Sequence, residues 1–182
     1  MATFYGTALG ETINALPTAS KKVAKAGLGG ARVRTKVFQL TVPVGHDMTT
    51  NDVIRMGTIP SGDRIGDIRL SSTALTATAP IVDVGLYLAG TNHDGAVVDA
   101  DLFVDDLTLS AQDQTDAFTE ATTLIGADRW KFAWELAAIG AGSDTTDPRV
   151  EYDLCILVTN TSSAQATADG QVVIEVDYIS GT

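Results

Sequence analysis

Two histidines, a single cysteine and a run of aspartates are the residues here most able to do chemistry, and none falls in a pattern that builds a reactive site. His46 stands in Gly45-His46-Asp47 and His93 in Asn92-His93-Asp94-Gly95. Such stretches form turns, so each imidazole is expected in a solvated loop rather than as a general base. No His-Glu-x-x-His spacing or cysteine pair offers zinc a ligand set. Asp99, Asp101, Asp105 and Asp106 are the acidic group that could gather oxygen ligands for calcium. Their spacing does not follow an EF-hand, and the carboxylates are expected to face water. Gly27-Leu28-Gly29-Gly30 lacks the preceding strand and the spacing of a nucleotide loop. No catalytic residue, metal or cofactor is therefore expected, and the chain reads as a non-enzyme.

Three further features have structural explanations. Cys155 lies in the apolar run Tyr152-Asp153-Leu154-Cys155-Ile156-Leu157-Val158 and is expected to be a buried, inert thiol. Asn160-Thr161-Ser162 fits a glycosylation acceptor, but the start of the chain has no basic and apolar leader, so it is expected to stay unmodified and the protein to be made and kept in cytosol. Trp130, Phe132 and Trp134 share one face at a spacing of two. They could line a sugar platform, and are more simply part of a core.

The elements that must carry these residues are mostly strands. Of the 182 residues 45% are hydrophobic and 19% charged, and 17 glycines against 5 prolines suggest many turns in a globular chain. No stretch approaches the roughly 20 apolar residues of a membrane span, so no membrane role is expected. Alternation begins at Arg32: Val33, Thr35 and Val37 on one parity, then Phe38, Leu40 and Val42 on the other, which predicts a bulge or two-sided burial at Val37-Phe38. Val53 to Ile59 stops at Pro60-Ser61-Gly62-Asp63, Ile65 to Ser71 follows, and Val82, Val84, Leu86 and Leu88 alternate cleanly before the turn at 92–95. Residues 99–109 mix apolar residues with aspartates, and 110–124 carry no clear period. Trp130, Phe132, Trp134 and Leu136 favour a strand, although Trp130 and Trp134 would also share a helix face. Tyr152 to Val158 and Val172 to Tyr178 repeat the alternation and read as a terminal hairpin. About eight short strands with frequent turns predict an all-β, jelly-roll-like β-sandwich over 32–182.

Residues 1–31 show no strand period and end in glycines, which predicts an extended N-terminal arm. Charge divides at the same place. The net charge is −11, yet residues 1–36 hold six bases and one acid, and the remainder six bases and 22 acids. An acidic body argues against nucleic acid as a partner, because duplex binding relies on cations meeting phosphates. The basic segment, with Lys21, Lys22, Lys25, Arg32 and Arg34, is the candidate interface and suits an acidic protein surface.

The stretch Asp52-Val53-Ile54-Arg55-Met56-Gly57-Thr58-Ile59-Pro60-Ser61-Gly62-Asp63-Arg64-Ile65 resembles a strand-Pro-Gly-strand unit of small head proteins of tailed bacteriophages. Ala2-Thr3-Phe4-Tyr5-Gly6 and the closing segment from Tyr152 to Ser180, with its Ala/Thr-rich loop, are similar too. The resemblance implies a capsid decoration, or cement, protein: a β-rich trimer on the outer capsid at local three-fold positions, with the major capsid protein as partner. Another virion part, such as a head fibre base or tail protein, would share these traits. A carbohydrate-binding β-sandwich module is the alternative from a different class.

Overall fold

The structure, a computed structural model, describes residues 32–45, 48–73, 79–109, 115–116, 124–141, 146–160 and 169–180. Arg34–Thr182 forms one compact unit. The predicted arm, residues 1–31, lies outside the described residues, as does most of 110–124.

Alternating apolar side chains and closely spaced turns produce β1 (Arg34–Val42), β2 (Val53–Pro60), β3 (Arg64–Ser72), β4 (Ile81–Leu88), β5 (Val97–Thr108), the two-residue β6 (Thr115–Asp116) and β7 (Lys131–Phe132), then helix α1 (Ala133–Ala141), β8 (Glu151–Asn160) and β9 (Gly170–Ile179). One sheet has the order β1-β9-β3-β6, with β7 also pairing β3, and the other β2-β8-β4-β5. The described pairings are antiparallel. The chain changes sheet from β1 to β2, β2 to β3, β3 to β4, β5 to β6, β7 to β8 and β8 to β9, which is the wrapping of a jelly roll. The predicted all-β sandwich is thus the fold.

The slab between the sheets is built from the predicted alternation. Val172, Ile174 and Val176 of β9, with Ile65, Ile68 and Leu70 of β3, pack in one cluster with Leu154, Ile156 and Val158 of β8 and Val82, Val84 and Leu86 of β4. Each such side chain removed from water contributes about 1.5–3 kcal/mol. Phe38 fits because residue 57 is glycine: a Cβ there would stand 2.1 Å from the Phe38 ring. At Gly85 the obstacle is main chain, since a Cβ would stand 2.0 Å from the Asp99 carbonyl oxygen of β5.

Three expectations are corrected. β8 and β9 do not form a hairpin: β8 lies between β2 and β4, and β9 between β1 and β3. Alternation fixes which face of a strand is buried, and both sheets bury into the same slab. The predicted bulge at Val37-Phe38 is absent, because β1 runs in unbroken register from Arg34 opposite Tyr178 to Val42 opposite Gly170. Val37 instead faces outward and is 59% exposed. The strand expected over Trp130–Leu136 shrinks to Lys131–Phe132 before α1 begins. The Glu135 carboxylate accepts the Phe132 N–H at 2.9 Å, a contact that closes the first turn of the helix.

Candidate functional site

The sequence places the candidate interface at the basic start of the chain. Lys21, Lys22 and Lys25 lie outside the described residues. Arg32 and Arg34 are both exposed, and neither forms an ion pair among the described residues. The remaining bases of the body are mostly engaged. Arg69 of β3 bonds Glu175 at 3.2 Å and Asp177 at 3.1 Å on β9, Thr35 of β1 donates to Asp177 at 2.6 Å, and Arg129 pairs with Asp67. These groups form a polar ladder across one outward sheet face. At this exposure each pair contributes up to about 1 kcal/mol, so the ladder aligns strands more than it stabilises them.

The groups that a search for chemistry would weigh first have structural roles. Asp153 of β8 is buried, and Arg55 of β2 reaches it at 2.7 Å, Thr58 at 3.2 Å and His93 Nδ1 at 2.9 Å. Burial pushes the Asp153 carboxyl upward, but the hydrogen bonds from Arg55, His93 and Thr58 outweigh it and hold it below the ordinary value. Arg55 also donates to the carbonyls of Leu88 and Gly95 and stacks 5.4 Å from the Tyr87 ring centre. One guanidinium thus ties β2 and β8 to the loop after β4. His93 does stand in an exposed turn, as expected, but its ring is anchored on Asp153. His46 lies outside the described residues. Cys155 is buried as predicted, and burial pushes its thiol up to about 12, so it stays protonated and unreactive.

The acidic group is rearranged by the fold. Asp105 and Asp106 come together with Asp83 of β4, their carboxylate oxygens within 4.8 Å of one another, and the Asp106 amide donates to Asp83 at 2.9 Å. Sequence reading missed Asp83, because the shifted β4–β5 register, with Val82 opposite Leu107 and Val84 opposite Val104, brings it there, and an even hairpin register across the 92–95 turn would place it opposite Val104 instead. Burial, then the neighbouring Asp105, Asp106 and Asp101, push the Asp83 carboxyl up, opposed by the Asp106 amide. Asp99 pairs separately with Asp101, and burial followed by the Asp101 hydrogen bond raises it to about 6.

The aromatic stripe does not make one flat platform. Trp130 adopts a left-handed backbone, φ 67°, and lays its ring on Gly66. Phe132 stacks with Trp134 at 6.3 Å and carries the Arg64 guanidinium 3.7 Å above its ring. All three are half-buried, and Trp134 packs against the core.

Two-sheet wrapping, a saturated core and polar groups committed to holding strands define a jelly-roll β-sandwich. No protein-family model and no curated protein matches the chain. Among solved structures it is similar to a chain in the capsid of Ralstonia phage GP4, at 14% identity over 85% of this chain and 88% of that one, with a TM-score of 0.56. It is also similar to a chain in the cyanophage Pam1 capsid asymmetric unit, at 19% identity over 90% and 98% with a TM-score of 0.44, and to the infectious bursal disease virus VP2 subviral particle, at 15% over 84% and 34% with a TM-score of 0.38.

Proposed function

We propose that this protein is a structural component of a bacteriophage virion that binds the outer surface of the capsid and stabilises contacts between capsomers. The observation that carries this reading is the shared fold with a phage GP4 capsid chain, spanning 85% of one chain and 88% of the other. The described polar groups are consistent with it, since Arg55, Asp153, His93 and Arg69 join strands instead of converging on a reactive pocket. The protein acts as a trimer at local three-fold positions, and the major capsid protein is its partner. It is made in the host cytoplasm and is carried on the finished particle.

Residues 1–31 are an extended arm on the 32–182 body and reach the shell or a sister subunit. Lys21, Lys22, Lys25, Arg32 and Arg34 meet acidic groups there. An arm adds interface area without enlarging the body, and many copies turn weak contacts into firm attachment. Deleting residues 1–30 tests this. The truncated chain is expected to bind capsids more weakly and with less sensitivity to salt, and unchanged affinity and salt dependence would contradict the role of the arm.

A further inference from the structure

We propose that residues 97–101 of β5 form a pH-sensitive latch on the edge of β4, closed by a proton that the Asp99 and Asp101 carboxyls share. Among the described strands β5 pairs with β4 alone, and the two run out of step. β4 passes from Leu86 to Val84 while β5 passes from Asp99 to Val104, so the chain between leaves the ladder. Beyond this excursion Leu102, Phe103 and Val104 are buried in the core, and the Asp106 amide is tied to Asp83. Before it the described pairings are Asp99 opposite Leu86 and Val97 opposite Tyr87, and Val97 is 56% exposed. The second half of β5 is anchored and the first half is held lightly, which is where a strand opens locally.

The light half closes over a glycine. A Cβ on Gly85 would stand 2.0 Å from the Asp99 carbonyl oxygen and 2.4 Å from the Ala100 carbonyl carbon. Asp99 is half-buried in this position, the Asp101 amide donates to its Oδ1 at 3.4 Å, and the two carboxyls lie within hydrogen-bonding reach. Ionised carboxylates only accept hydrogen bonds, so the bond between these side chains requires that one of them keep its proton. Losing that proton sets two like charges side by side, one of them half-buried.

No base on the adjoining elements relieves the repulsion. The elements packed against β5 bring Asp83 and Tyr87 on β4, Glu135 on α1, and Glu151, Tyr152, Asp153 and Cys155 on β8. β5 itself adds Asp105 and Asp106, and the preceding turn His93 and Asp94. Arg55 of β2 reaches the Gly95 carbonyl just before the strand, but it is committed to Asp153 at 2.7 Å, where His93 also bonds. Burial and then the Asp101 hydrogen bond raise the Asp99 carboxyl from 3.8 to about 6. The closed strand therefore binds the proton more tightly than the open one. Closure is firmest below the ordinary aspartate value and weakens as pH rises through about 6.

Hydrogen exchange of the full-length protein, read peptide by peptide, tests the latch without any capsid. Corrected for the intrinsic effect of pH on amide exchange, protection of 97–101 is expected to be about tenfold greater at about pH 5 than at about pH 7.5. Low urea is expected to leave this exchange unchanged while it speeds that of β9, because a local opening exposes little surface. Asp99→Asn, which keeps the shape and removes the charge, is expected to abolish the pH dependence. Asp101→Asn, at an exposed position that does not endanger folding, is expected to reduce it, since the new amide donates to Asp99 without a shared proton. Equal protection of 97–101 at both pH values in the parent would overturn the proposal. So would a pH dependence unchanged in both variants, or exchange that follows β9 in urea, which would assign the effect to global unfolding.

Discussion

Arg55 on β2 and Asp153 on β8 meet at 2.7 Å, with the Asp153 side chain 1% exposed and that of Arg55 23%. The pair stands where β2 shifts register, and the same guanidinium holds the carbonyls of Leu88 and Gly95. A buried carboxylate deprived of its partner is costly. Arg55→Met is expected to lower unfolding stability by about 3 kcal/mol. Asp153→Asn is expected to cost less, because the freed guanidinium can reach water. Urea titration of both variants checks the order, and equal small losses would show the pair to be incidental.

Stability should depend on pH in two opposite steps. Asp99, raised to about 6, and Asp83, also raised, bind protons more tightly in the folded state. Their contribution is lost above the folded values and grows as pH falls through about 6 toward the ordinary aspartate range. Asp153 is lowered mainly by its hydrogen bonds from Arg55, His93 and Thr58 against the opposing effect of burial, and Asp128 by Lys131 and the Ile125 amide against the same effect. Their contribution is present above the ordinary aspartate value and disappears as pH falls through the lower folded values. Melting temperature is expected to rise from pH 7.5 to about 5 and to fall below about 3.5, and Asp99→Asn is expected to flatten the first step.

Gly85→Ala is expected to cost about 3 kcal/mol or more, because the new methyl meets the Asp99 and Ala100 main chain rather than a side chain that can turn aside. Gly126→Ala, with nothing within 4 Å, is the matched control and should lie within about 0.5 kcal/mol of the parent. Thermal melts of the two decide whether the β5 main chain approaches Gly85 of β4 as closely as described.

Cys155 is expected to resist thiol reagents at pH 8 in the folded protein and to react at the rate of a free thiol once urea unfolds it, since burial both hides the sulfur and keeps it protonated. Rapid native labelling would show that the outer face of β8 opens.

Strands with strict alternation were legible from their residues. Leu154, Ile156 and Val158 and Val172, Ile174 and Val176 are buried as their spacing predicts. Their sheet membership was not, because burial constrains a side chain's direction and leaves the neighbouring strand open. Val37 misled for a different reason: an apolar residue on an edge strand can stay exposed, so the apparent change of parity reflects surface rather than a bulge. Trp130 to Leu136 satisfy both periods, and the contact of Glu135 with the Phe132 amide favours the helix. Of the candidate interface, only Arg32 and Arg34 fall among the described residues. The Arg55–Asp153–His93 cluster joins residues distant in sequence, and no local pattern announces it.

The proposed role requires the protein to attach to the outside of a phage capsid. Cosedimentation of the purified protein with capsids, with the bound copies counted per particle, tests it directly. Saturable binding that weakens with salt and reaches three copies per local three-fold position is the expected result. Absence of binding at every salt concentration, with the protein folded and soluble throughout, would contradict it.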